Sequence, residues 1–120
     1  MANSTTANAG TVLTVPANKI WQGSVSLSAT LAVSIGGSAG TQFPSITVSG
    51  LGANWADGDV VLKLALAVPA VGALSLAGAT ASGSVSTPEI RIRTRANPVS
   101  LILNIGAGVT GVGTAVGHVI

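Results

Sequence analysis

No cysteine occurs in this chain, so neither a disulfide frame nor a thiolate metal site can hold it together. Tyrosine is absent as well, and Trp21, Trp55 and Phe43 are the whole aromatic complement. Charge is the scarcest property: 7% of the 120 residues are ionised, against roughly a quarter in an ordinary soluble domain. The sequence pI of 10.0 reflects the shortage of acids in a chain of net charge +2, so it does not by itself imply nucleic acid as a partner.

Mean hydropathy is nevertheless high, +0.68, which makes a membrane protein the first alternative to test. Residues 64–88 are broken by Pro69, Gly72, Gly78 and Gly83 and filled with serine and threonine. No uninterrupted apolar run of about 18 residues exists, which argues against a membrane helix. Three aromatic side chains are too few for the girdles of a membrane barrel. MANSTTANAG, the first ten residues, has neither a basic start nor an apolar h-region, so the chain is read as soluble and made in the cytoplasm.

What the sequence does have is two-residue alternation. In SVSLSATLAVSI, residues 24–35, Val25, Leu27, Ala29, Leu31, Val33 and Ile35 share one parity, while small polar residues dominate the other. That pattern predicts a half-buried antiparallel strand. Shorter versions recur at 11–15, 45–49, 60–68, 89–95 and 99–105, bounded by turn-forming stretches such as VPANK, GGSAG, ANWADGD and RANP. The expectation is an all-β, single-domain antiparallel sandwich or small barrel of about eight strands. It would occupy residues 11–120, behind a flexible N-terminal arm formed by residues 1–10.

The sequence offers little for catalysis. Asp57, Asp59, Glu89 and His118 are the titratable groups available for acid–base work. No G-x-S-x-G elbow supports a Ser-His-Asp arrangement, so the chain is read as a non-enzyme without cofactor or metal. Asp57-Gly58-Asp59 begins like a calcium loop, but Val60, Val61 and Leu62 follow where oxygen ligands should be. A tight turn from Asn54 to Asp59, with positive φ at Gly58, is the expectation. The glycine-rich stretches GGSAG and GAGVTGVG lack the lysine of a phosphate loop and are read as hairpin connections. Trp21 and Trp55 are expected to fill the core.

One segment concentrates charge. In EIRIRTRA, residues 89–96, a strand would put Arg91, Arg93 and Arg95 on one face and Ile90, Ile92 and Thr94 on the other. Neighbouring arginines about 7 Å apart repel by about 0.6 kcal/mol in water and about 2 kcal/mol at a partly desolvated surface. Glu89 can offset only one of them. Two readings stand: a solvated strand face that blocks unwanted pairing, or a contact with carboxylates of another protein. Three basic residues without interleaved stacking groups are a small patch for nucleic acid.

So neutral a surface associates readily. TAVGHVI ends on Val119 and Ile120, as a last strand sheltered by a partner would. Val119 and Ile120 therefore join the three arginines as candidate interaction residues. The stretches TVPANKIWQGSVSLSATLAVS and GLGANWADGDVVLKLALAVPAVG, and the style of residues 11–119 around them, resemble small β-rich structural proteins of tailed bacteriophages, particularly those infecting actinobacteria. The resemblance implies a virion component, foremost a capsid decoration or cement protein. Such a protein binds the outside of the major capsid protein lattice, often as a trimer, without nucleic acid or membrane. It carries over no functional residue. Two other classes remain at this point: a surface module attaching to host glycans or protein, and a tail-tube or tail-tip subunit. An exposed tryptophan in a concave site would favour the module.

Overall fold

The computed structural model describes residues 3–33, 40–68, 79–106 and 108–120. Among them are eleven strands and no helix, hence no helix long and apolar enough to cross a membrane. The strands are β1 (Asn3–Ala7), β2 (Gly10–Val15), β3 (Ile20–Val33), β4 (Gly40–Gln42), β5 (Ser45–Ser49), β6 (Val60–Lys63), β7 (Leu66–Val68), β8 (Ala79–Ser86), β9 (Ile90–Arg93), β10 (Val99–Asn104) and β11 (Val109–Val119). One sheet runs β1-β11-β3-β8, with β9 also paired to β3; a second runs β2-β10-β5-β6; β4 and β7 form a short pair. Every pairing is antiparallel, and the architecture is an all-β sandwich.

The alternation in β3 is realised from Trp21 to Leu31, and Ser34 and Ile35 lie outside the described residues. Trp21, Val25, Leu27, Ala29 and Leu31 are buried, whereas Ser26 and Ser28 are exposed. Across the core stand Val12 and Val15 of β2, Val99, Leu101 and Leu103 of β10, and Ile46 and Val48 of β5. Segment 60–68, expected as one strand, is two. A bend at Leu64 and Ala65 separates β6 from β7, and the Leu64 amide donates to the Pro44 carbonyl at 2.9 Å. This bond carries the ladder past the bend, so β4–β5 and β6–β7 make one bent hairpin. Its arm folds over the far half of the first sheet, where a Cβ on Gly83 would lie 3.0 Å from Leu64.

β8 and β9 both line the same side of β3. β8 opposes Ser26–Val33 and β9 opposes Ile20–Gly23. Between them, Thr87 keeps contact with β3: its hydroxyl accepts from the Val25 amide at 3.0 Å and its amide donates to the Val25 carbonyl at 2.8 Å. The two therefore read as one strand interrupted around Pro88, whose missing N–H cannot extend a ladder.

The N-terminal region departs from expectation. Asn3–Ala7 pairs in register with Gly113–Gly117 of β11, so residues 3–7 are an edge strand of the first sheet rather than a weakly structured arm. Met1 and Ala2 lie outside the described residues. The chain then crosses to the second sheet through Gly10, whose φ of +78° suits glycine far better than any side chain.

The first half of β11 was hidden in the sequence by its glycines, whereas TAVGHVI is the last strand that was expected. Gly111 and Gly113 lie inside the strand, which corrects the reading of GAGVTGVG as a connection; Ala107 lies outside the described residues. On the inward parity of β11, Gly111, Gly113, Ala115 and Gly117 leave room for large partners. Gly113 faces Val12 and Ile46 at 2.9 and 3.3 Å from a built Cβ. Gly117 pairs with Gly23, and the two together clear space for the Trp21 ring, 2.6 Å from a Cβ built on Gly117. Trp21 is buried there at 3% exposure, as expected of a core residue. Of GGSAG, residues 36–39 lie outside the described residues.

Gly117→Ala is expected to lower folding stability by about 1–3 kcal/mol through overpacking. Gly40→Ala, whose Cβ meets nothing within 4 Å, should stay within about 0.5 kcal/mol of the parent. Urea denaturation of the two variants side by side checks this.

Candidate interaction surfaces

β9 stops at Arg93, so the strand expected over residues 89–95 places Arg91 and Arg93 on one face and leaves Arg95 just beyond its end. Arg91, Arg93 and Arg95 are exposed, while Ile92 and Thr94 between them are buried. Thr94 is the anchor of this end. Its hydroxyl accepts from the Lys19 amide at 2.9 Å and donates to the Pro16 carbonyl at 2.5 Å. Its own amide donates to the Lys19 carbonyl at 2.9 Å. Asn18, in the left-handed region at φ 58°, donates its amide to the Arg95 carbonyl at 2.7 Å. These bonds tie the β2–β3 turn to the end of β9. They set Lys19 beside the row, so four of the chain's five basic residues share one end of the molecule. Glu89, the acid of the same parity, accepts a hydrogen bond from the Gln22 amide group.

The open edge of β9 is not available for pairing. Asn54, in the loop between β5 and β6, donates from Nδ2 to the Arg91 carbonyl at 2.8 Å and accepts from the Arg93 amide at 2.9 Å. One side-chain amide thus stands in for a neighbouring strand. The Trp55 indole N–H donates to the same Arg91 carbonyl at 2.9 Å, and the Ala53 amide donates to the Arg93 carbonyl at 2.9 Å. Such a cover removes an edge that would otherwise invite foreign strands. It also gives Trp55, half-buried against the core, a structural role. Phe43 is 54% exposed, with the Lys63 ammonium 4.9 Å from its ring centroid.

The two candidate groups named from the sequence come together at this end. β9 and β11 flank β3, and directly opposite residues on antiparallel strands share a face. His118, Gln22 and Arg91 therefore form one row, and Ile20 with Arg93 forms the next. The Ile120 amide extends that second row by donating to the Ile20 carbonyl at 2.7 Å. Val119 and Ile120 are 46% and 61% exposed, which leaves both free to meet a partner. His118 is exposed at the end of β11. A depression of about 460 Å³ lies between Lys19 and Arg93, with Ile20, Ala53 and Ile120 in its lining.

Beyond that end the outward face of the first sheet is uncharged. Its rows read Ser4, Val116, Ser24; then Thr6, Thr114, Ser26, Ser86; then Val112, Ser28, Ser84; then Thr110, Thr30, Ser82. The Thr30 and Ser82 hydroxyls bond across strands at 3.0 Å. Val112 and Val116 stand out of this hydroxyl carpet at 39% and 43% exposure. Sequence reasoning did not single them out. The alternation Val109 to Val119 could have shown them, had the glycines not been taken for turns. A cleft of about 650 Å³ opens at the far end of this sheet, lined by Ser28, Thr30, Ser82, Thr110, Ile105 and Val109 among others, with no titratable side chain in its wall.

Asp57 and Asp59 serve their own loop. Asp57 accepts from the Gly50 amide at 2.9 Å, and Asp59 accepts from the Ala56 amide at 2.8 Å. Gly58 has φ +88°, so the Asn54–Asp59 segment is the tight turn its composition predicts. No family model matches the chain, and no curated protein matches it either.

Replacing Asn54 with alanine should leave the Arg91 carbonyl and Arg93 amide to water. Amide hydrogen exchange at Arg93 is expected to accelerate at least tenfold, with a stability loss of about 1–2 kcal/mol. Unchanged protection at Arg93 would show that Asn54 does not guard the edge.

Proposed function

We propose that this protein is a non-enzymatic structural subunit of a virion, a decoration or cement protein that binds the outside of the major capsid protein lattice as trimers. The observation that carries the reading is the neutral outward face of the first sheet. Four neighbouring strands present serine, threonine and valine there without one ionised group between Ser4 and Ser86 along the rows. Surfaces that work alone in water normally carry charge on about 25–35% of positions. A face without charge avoids the cost of stripping an ion of its hydration, provided that its hydroxyls find partners in the contact.

Its size decides what kind of assembly it suits. Three inter-strand gaps of about 4.8 Å and six residues of about 3.4 Å each give a patch of about 300 Å². A stable pairwise complex buries about 800 Å² on each partner. One such face therefore binds weakly by itself, and a lattice that engages many copies at once compensates through effective concentration. A subunit of this kind stabilises a shell to the extent that it prefers the assembled lattice to free subunits. Host attachment through a tryptophan platform has less to build on, because Trp21 is buried and Trp55 is half-buried with its indole N–H bonded to the Arg91 carbonyl; Phe43 is the one ring that stands exposed.

The test is binding to shells assembled from the major capsid protein of the same genome. The chain is expected to saturate them at a fixed stoichiometry and raise their melting temperature. Val116→Lys, which places a charge in the middle of the neutral face, should cut occupancy at least tenfold while leaving the chain folded. Shells that take up neither protein would refute the reading.

A further inference from the structure

We propose that the basic end formed by Lys19, Arg91, Arg93 and Arg95 is a docking site for an extended acidic segment of another protein, with carboxylates at every second residue. This deepens the reading above, since the segment would belong to the lattice protein. Charge complementarity is the first argument. Four cations gather here, and the one acid of their parity, Glu89, is held by Gln22 rather than by a guanidinium. The row is thus left with unspent donors pointing outward.

Pitch is the second argument. Arg91 and Arg93 lie two residues apart on one strand, at a spacing of about 6.8 Å, and Arg95, exposed, follows just beyond the strand's end. An extended peptide carrying carboxylates at alternate positions has the same spacing, so each carboxylate can meet one planar guanidinium fork in two-point geometry. A block of consecutive acids would put every other carboxylate on the wrong side. Beside the row, the depression between Lys19 and Arg93 has Ile20 and Ile120 in its lining, which offers apolar cover to a charge pair.

The mode of approach is set by what is closed. Asn54, Trp55 and Ala53 occupy the hydrogen-bonding edge of β9, so the partner cannot add itself as a further strand there. It must lie across the side chains. Recognition then depends on guanidinium geometry and charge, not on backbone pairing. Nucleic acid suits the site less well, because the ring beside the row, Trp55, is half-buried and tied by its indole N–H to the Arg91 carbonyl, whereas stacking along a strand uses several exposed rings.

The experiment is an NMR titration of the full chain with three probes at physiological ionic strength: the peptide DTDTDTD, its isomer DDDDTTT, and oligothymidylate. The alternating peptide should bind at least fivefold more tightly than the block isomer and more tightly than the oligonucleotide, with shifts centred on Arg91, Arg93 and Arg95. The triple variant R91K/R93K/R95K keeps the charge and the fold but removes the forks, and should weaken the alternating peptide about tenfold. Equal affinity for the two peptides, tighter binding of the oligonucleotide, or indifference to the lysine variant would overturn the proposal. If the peptides fail while the chain still saturates capsid shells, the docking site falls and the capsid reading stands. If the peptides behave as stated and the shells are not bound, the docking site stands and the capsid reading falls.

Discussion

β3 and β11 pair over eleven consecutive residues, from Trp21–Val119 to Leu31–Val109, and the molecule is arranged around that ladder. Because directly opposite residues share a face, one register decides both sides of the sheet. Inward, the large side chains of β3 are matched by glycine and alanine on β11, which is how Trp21 finds a slot and how Val12 and Ile46 of the facing sheet come close to Gly113. Outward, the same register sets hydroxyl beside hydroxyl and produces the neutral carpet. A slip of one residue would bury serines and expose leucines, so core and outer face are two consequences of one pairing.

Charge is handled as economically as size. The few ionised groups sit where the fold needs a polar end or a loop: two aspartates hold their own turn, and four of five basic residues gather where β9 meets the β2–β3 turn. Thr94 holds that junction with a buried hydroxyl. The result is a molecule with one face free of ions and one cationic end. Under the proposals above, the two regions meet different partners, one uncharged and the other acidic.

Much of this was legible in the residues, and the exceptions have physical causes. The parity of β3 and of the arginine row followed from alternation of side-chain type, which survives in any half-buried strand. Gly58 declared its turn because positive φ favours glycine. The last strand was read in TAVGHVI, but the first half of β11 was missed because Gly111 and Gly113 are glycines chosen for sterics, and a single sequence does not distinguish those from glycines chosen for φ. β1 was missed because NSTTA carries no apolar parity; as an edge strand with Ser4, Thr5 and Thr6 all exposed, it needs none. Lys19 joined the arginines only through contacts spanning more than seventy residues, which no local pattern reveals. The guard role of Asn54 is likewise a long-range pairing.

The claim on which the account turns is that the uncharged face of the first sheet is covered by a neighbour in the working assembly. Electron cryomicroscopy of the particle that carries this chain tests it directly. The account predicts protein density within van der Waals contact of Val112, Val116 and Ser26 in the symmetric copies. Open solvent over those three side chains in every copy would contradict it.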